Sequence, residues 1–165
     1  MKTLLILRHA KSSWDDPDLR DYDRPLNKRG KKDAPRMGKL IKDAKLIPDR
    51  ILSSSAKRAR NTAKRFSKAC GYTGKIKKLD NLYHAPVGVY FETLQSLQEK
   101  YKKILVVGHN PTMEQLIHNL TGQYHQMPTA ALAHIQLPIY EWETLSPYTE
   151  GTLIDLWTPR TLSND

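Results

Sequence analysis

Two short aliphatic runs in this chain stop abruptly at a histidine: residues 4–7 lead into Arg8 and His9, and residues 104–107 lead into Gly108 and His109. Unbroken apolar runs of this length, with no polar alternation, have the pattern of strands buried on both faces, and such strands belong to parallel sheets covered by helices. Between the runs the periodicity becomes helical. Met37, Leu40, Ile41 and Ala44 share one face, as do Ala59, Thr62, Ala63 and Phe66. So do Val87, Tyr90, Phe91, Leu94, Leu97 and Tyr101, and then Met113, Leu116, Ile117 and Leu120. This alternation predicts an α/β chain with a mostly parallel sheet, covered on both faces and joined by right-handed crossovers.

Strands are expected at 2–8, 50–52, 104–107, 131–137 and 152–157, with a short lysine-bearing edge strand at 75–79. Asn27 is a candidate cap for the first helix, and Pro35 within it implies a kink or a later start. Any of Ser53, Ser54 and Ser55 can cap the second helix, and Gly71 and Gly74 close it. Asn110 as N-cap with Pro111 at the first helical position starts the last helix. One domain over 1–158 is expected, followed by a polar tail.

Hydrophobic residues make up 39% of the 165 and charged residues 27%, a globular composition without blocked tails. No apolar run is long enough to span a bilayer, and the opening residues do not read as a secretion signal. A single cysteine, Cys70, excludes an internal disulfide and suits a reducing, cytoplasmic setting. The net charge of +10 points to an anionic ligand: phosphate, nucleic acid or an acidic partner. Lys and Arg are scattered over 28–45, 57–68 and 75–78 without interleaved aromatics, so nucleic acid is the weakest of these expectations.

The chemistry-bearing residues fall at strand ends: Arg8 and His9 after the first, Arg58 at the start of the helix after the second, and His109 after the central strand. Parallel neighbours would bring all four to one edge of the sheet, where open α/β sheets bind ligands. Helix N-termini near Arg58 and Asn110 would favour an anion there, and two guanidinium forks fit phosphoryl oxygens bidentately. A neutral imidazole can attack phosphorus, and nearby guanidinium groups favour the neutral form. His9 is the expected nucleophile, with His109 stabilising the transferring group. Taken singly, each feature has a plainer reading: Arg58 also fits a solvated basic helix face, and His109 a helix-start residue. His84, His118, His125 and His134 read as structural or surface residues, and no metal-ligand spacing is present.

Four motifs in order change that weighing: L-R-H-A at 7–10, R-P-L-N-K-R-G at 24–30, S-S-A-K-R-A-R-N-T-A at 54–63 and V-V-G-H-N-P at 106–111. Together they resemble the histidine phosphatase superfamily, and within it the SixA-type phosphohistidine phosphatases. The resemblance runs from Met1 to about Leu120. It implies a phosphoglycerate mutase-like three-layer α/β/α sandwich, phosphorylation of His9, phosphoryl binding by Arg8 and Arg58, His109 as the second histidine of the pocket, and no metal or other cofactor. Ala10 departs from the glycine usual after the nucleophile. Many phosphomonoesterases of the superfamily also carry an acid that protonates the leaving oxygen, but residues 81–89, where it is expected, contain no Asp or Glu. Asp15, Asp16 and Glu92 are candidates by proximity in sequence alone. The missing acid fits an N–P substrate, whose imidazole leaves more readily than an alkoxide. A metal-independent phosphatase acting on phosphohistidine in a protein is therefore the leading expectation. A small-molecule phosphomonoesterase is the alternative, and a non-catalytic phosphate- or nucleic-acid-binding protein the third reading.

Overall fold

Strand β1 (Lys2–Arg8) sends alternate side chains into two separate cores: Leu4 and Ile6 join one cluster, Leu5 and Leu7 the other. Strand β4 (Lys103–Gly108) does the same, with Ile104 and Val106 on the first side and Leu105 and Val107 on the second. A strand with both faces buried has no solvent side to mark with polar residues, which explains the unbroken aliphatic runs. The computed structural model describes residues 1–162. The remaining elements are α1 (Lys28–Asp43), β2 (Arg50–Ser54), α2 (Lys57–Cys70), β3 (Ile76–Leu79), α3 (Val87–Gln95), α4 (Thr112–Thr121), β5 (Leu132–Leu137) and β6 (Thr152–Trp157).

The sheet has six strands in the order β3-β2-β4-β1-β5-β6. The first four are parallel, β5 runs antiparallel to β1, and β6 antiparallel to β5. Helices α1 and α2 bury Met37, Ile41, Ala63 and Phe66 on one face. Helices α3 and α4 bury Tyr90, Leu94, Leu116 and Ile117 on the other, which completes the three-layer α/β/α sandwich. Arg8 lies opposite Gly108, and Ser53 opposite Val107, so the carboxyl ends of β1, β4 and β2 finish side by side. This register positions the site.

Several local expectations are corrected. Helix α1 starts directly after Asn27, whose side chain accepts from the Gly30 N–H at 2.9 Å, and it runs through Pro35 rather than beginning later. Serine does not cap α2: Ala56 holds the N-cap position without a side-chain bond, because the Ser54 hydroxyl turns back to the Ala56 N–H and to His109. Pro111, not Asn110, precedes α4, across a cis Asn110-Pro111 peptide, and the Asn110 amide donates instead to the Met127 carbonyl. Helix α3 ends at Gln95, so Leu97 and Tyr101 reach the core from a turn that keeps the helical spacing without the helix. After β6, Pro159–Thr161 form a 3-10 turn with Pro159 buried and its carbonyl bonded by Arg36, and Leu162 packs on the second core. Of the expected polar tail, residues 163–165 lie outside the described residues.

Candidate active site

His9 leaves β1 at the edge where the parallel strands end, and its backbone N–H donates to the carbonyl of Gly108 at 3.0 Å, tying the two histidine-bearing strand ends together. The next residue, Ala10, is fully buried, and its N–H donates to the Thr62 hydroxyl at 2.9 Å. Thr62 donates in turn to the Arg58 carbonyl, so one side chain of α2 fixes the chain on both sides of the pocket. Ala10 needs no left-handed backbone, since among the described non-glycine residues only Lys45, His84 and Ala130 have positive φ. Alanine can therefore stand there without strain.

The His9 ring is 7% exposed, and its Nδ1 lies 2.8 Å from the Ala10 carbonyl. A carbonyl only accepts, so Nδ1 must carry the proton and Nε2 keeps its lone pair. Burial holds His9 at a pKa of about 3, and His109, Arg58 and Arg8 lower it further against the opposing Ala10 hydrogen bond. The expected direction is right, but desolvation, more than the guanidinium groups, is its largest cause. The His109 ring sits with its centroid 5.2 Å from that of His9, and burial followed by the Arg58 charge brings it to about 3 as well. His109 Nε2 is 2.8 Å from the Ser54 hydroxyl, which can donate or accept and so serves either protonation state of the ring.

Arg8, half-buried, donates to the Met127 carbonyl at 3.0 Å, and Arg58 is 6% exposed at the start of α2. That helix end carries no side-chain cap, which leaves its first N–H groups available to an anion. All four residues named from the sequence thus meet at one sheet edge. A pair of cavities flanks them. One of about 550 Å³ is lined by Arg8, Arg29, Glu114, Tyr124 and Arg160, and one of about 320 Å³ by His84, Tyr90, His109 and Gln115, with Asn110 bordering both.

The structure also brings in groups the sequence did not single out. Asp21 takes Arg58 through both its carbonyl, at 2.7 Å, and its carboxylate, at 2.9 Å. Tyr83 donates to the same carboxylate at 2.6 Å, and Arg24 to its other oxygen at 3.1 Å. Burial works against the charge on Asp21, but the bonds from Tyr83, Arg58 and Arg24 hold it well below the usual carboxylate range. Arg24 also bonds Ser12 and the Ser13 carbonyl and lies 3.2 Å from the Trp14 ring centroid, so it braces the loop after His9. His84, expected as a structural or surface residue, is exposed, lies with its ring tilted against Tyr83 at 4.0 Å between centroids, and borders the smaller cavity. Asp15, Asp16 and Glu92 are exposed, and none of the hydrogen bonds among the described residues joins them to this cluster. The arginine of the second motif was the available signal for Asp21, since a buried guanidinium needs a carboxylate. Nothing in the sequence marked the carboxylate itself.

Beside this cluster of two histidines and two arginines stands an independent finding from comparison with known proteins. The model of the histidine phosphatase superfamily (branch 1) matches residues 4–102. The chain belongs to this superfamily. An uncharacterised chloroplastic protein of Arabidopsis thaliana is 34% identical over 151 residues, covering 86% of this chain and 69% of that one. The crystal structure of the protein assigned as phosphohistidine phosphatase SixA in Agrobacterium tumefaciens superposes with a TM-score of 0.82 at 31% identity, covering 96% of this chain and 98% of that one. A structure of protein histidine phosphatase SixA with tungstate gives a TM-score of 0.84 at 26% identity over 98% of this chain and 99% of that one. Superfamily membership and likeness to the SixA structures support phosphatase chemistry. Among the described residues no helix is long and apolar enough to cross a membrane.

Proposed function

We propose that the chain is a protein phosphohistidine phosphatase that works through a phosphorylated His9. The observation that carries the reading is the Nδ1 contact of His9 with the Ala10 carbonyl, which leaves Nε2 as a lone pair on a ring held neutral by burial. In the first step Nε2 attacks phosphorus and the bond to the leaving group breaks, with Arg8 and Arg58 neutralising the equatorial oxygens. Water then attacks the His9 phosphoramidate, releasing phosphate and restoring the neutral ring. His109 donates to the transferring group; a bound phosphoryl dianion reverses the field that keeps this ring unprotonated.

The choice of an N–P substrate rests on the carboxylates present. Asp21 is held ionised by Arg58, Tyr83 and Arg24, so it has no proton to give near neutral pH. Glu114, beside Arg8, is engaged with the Met127 N–H at 2.7 Å. A leaving imidazole needs less protonation than an alkoxide, and likeness to a protein histidine phosphatase supports the same choice. No group of three or more His, Cys, Asp or Glu side chains among the described residues is placed to hold a metal ion.

The test is single turnover on a radiolabelled phosphohistidine protein in the presence of EDTA. Acid-labile label should pass through the wild-type chain and be absent from a folded His9→Ala variant, whose turnover should be abolished. Normal turnover by that variant would overturn the nucleophile assignment. Turnover of alkyl phosphates but not phosphohistidine would move the protein to the small-molecule phosphomonoesterase reading.

A further inference from the structure

On the outer side of the α1/α2 layer a groove of about 450 Å³ is lined by Lys31 of α1 and by Lys57, Asn61, Lys64, Arg65 and Lys68 of α2, with Pro25 and Leu26 at one end. None of the lining residues is an acid, and none of its five cations takes part in an ion pair among the described residues. The concentration of charge extends to the whole helix: α2 carries Lys57, Arg58, Arg60, Lys64, Arg65 and Lys68 and no Asp or Glu. Neither α1 nor α2 has an acidic residue in its first turn, where the helix dipole favours one and disfavours the lysines and arginines that stand there. Like charges packed along one groove repel one another at low ionic strength, and an anionic surface laid over them relieves that repulsion.

We propose that this groove docks the acidic face of the phosphorylated protein whose phosphoryl group reaches His9. The groove begins at Lys57, the residue next to Arg58, and reaches Lys68 about 16 Å further along α2 at the α-helical rise. That span exceeds a small phosphorylated metabolite. It suits a protein surface that is anchored on the helices while its modified side chain enters the pocket at the strand ends. An exposed Lys31, Lys64, Arg65 and Lys68 form a polar rim that steers encounter, and no aromatic ring lines the groove to stack the bases of a single-stranded nucleic acid. The inference takes its phosphoprotein from the proposed function, but the groove's preference for acidic polypeptide is testable without it.

The decisive variant is K64E/R65E/K68E, three exposed positions outside the pocket. Binding of a fluorescein-labelled oligoglutamate peptide is followed by anisotropy at low and high salt, beside hydrolysis of an aryl phosphate. Wild type should bind the peptide with marked salt dependence, the variant should bind it at least about tenfold more weakly, and aryl phosphate kcat/KM should stay within about twofold. Equal peptide binding by both proteins overturns the proposal. So does an oligonucleotide that binds through the same three residues more tightly than the peptide. If the peptide result stands while wild type fails to turn over a phosphohistidine protein, the enzymatic reading falls and the groove does not. If both stand, kcat/KM on an acidic phosphohistidine protein should drop about tenfold in the variant while aryl phosphate hydrolysis is unchanged.

Discussion

Asp21 is the residue whose replacement separates positioning from proton transfer. It grips Arg58 by two oxygens and receives Tyr83, so its loss frees the guanidinium that the proposed mechanism sets against a phosphoryl group. Asp21→Asn keeps the shape and removes the charge. KM for an aryl phosphate should rise several-fold, while kcat on phosphohistidine should fall by much less than the roughly 100-fold that a general acid contributes. Steady-state kinetics on both substrates checks this, and a kcat collapse confined to poor leaving groups would make Asp21 an acid after all. The two histidines carry a second residue-scale consequence. Both have folded pKa values of about 3, below the ordinary value of 6.5, so the unfolded chain binds their protons first. Their contribution to stability is present above about pH 6.5 and is lost as pH falls towards 3, at about 1.4 kcal/mol per pH unit for each ring. Denaturant unfolding between pH 4 and 6 should therefore have a shallower pH slope in His109→Gln than in wild type, by about one ring's worth. Equal slopes would mean that His109 titrates normally. Asp21 has the same sign, its depressed carboxyl losing its contribution as pH falls below the usual carboxylate range.

Among the elements, α1 and α2 must approach closely to close the layer behind β1, β2 and β4. Gly38 sits at that contact, and a Cβ there would run into the Phe66 carbonyl of α2, a backbone atom that cannot swing away. Gly38→Ala should destabilise the protein by about 1–3 kcal/mol in urea unfolding, although alanine is the better helix former. A stabilised variant would show that the helices can separate at no cost. This layer also marks how far the sequence could be read. Buried strands announced themselves by aliphatic runs, and α1, α2 and α4 by one apolar face each, because those patterns are set by burial on a regular backbone. Turn-level detail was less legible. Ser54 belongs to the His109 ring and not to a helix cap, and Leu97 and Tyr101 continue the spacing of α3 beyond its end. In each case a tertiary partner decided between two locally acceptable conformations. The four expected residues could be placed near one another because Arg8, His9 and His109 stand at or just beyond strand ends that register brings side by side, and Arg58 opens the helix that follows β2. Asp21, Tyr83 and Arg24 reach the pocket through loops whose path no periodicity records.

At the scale of the whole molecule, the edge proposed as the reactive one has little to cover it among the described residues. The loop after β1 is braced by Arg24, the segment carrying Tyr83 and His84 borders one cavity, and the turn with Arg160 borders the other. Nothing among the described residues adds a carboxylic acid poised to protonate a departing oxygen, since Asp21 is ion-paired and Glu114 is engaged with backbone. Catalysis must then depend on the leaving group's own ability to carry the electron pair. Across substituted phenyl phosphates, kcat/KM should rise steeply as the phenol becomes more acidic, with phosphohistidine well hydrolysed and serine phosphate poor. An enzyme with a working general acid shows a shallow dependence instead, because the acid compensates for a basic leaving group. His109→Ala should lower all rates without flattening the series, as its charge acts on the transferring phosphoryl oxygens that every substrate shares. A flat series in wild type, together with good turnover of alkyl phosphates, would mean that a proton donor operates in the pocket and that the enzyme is built for phosphate esters.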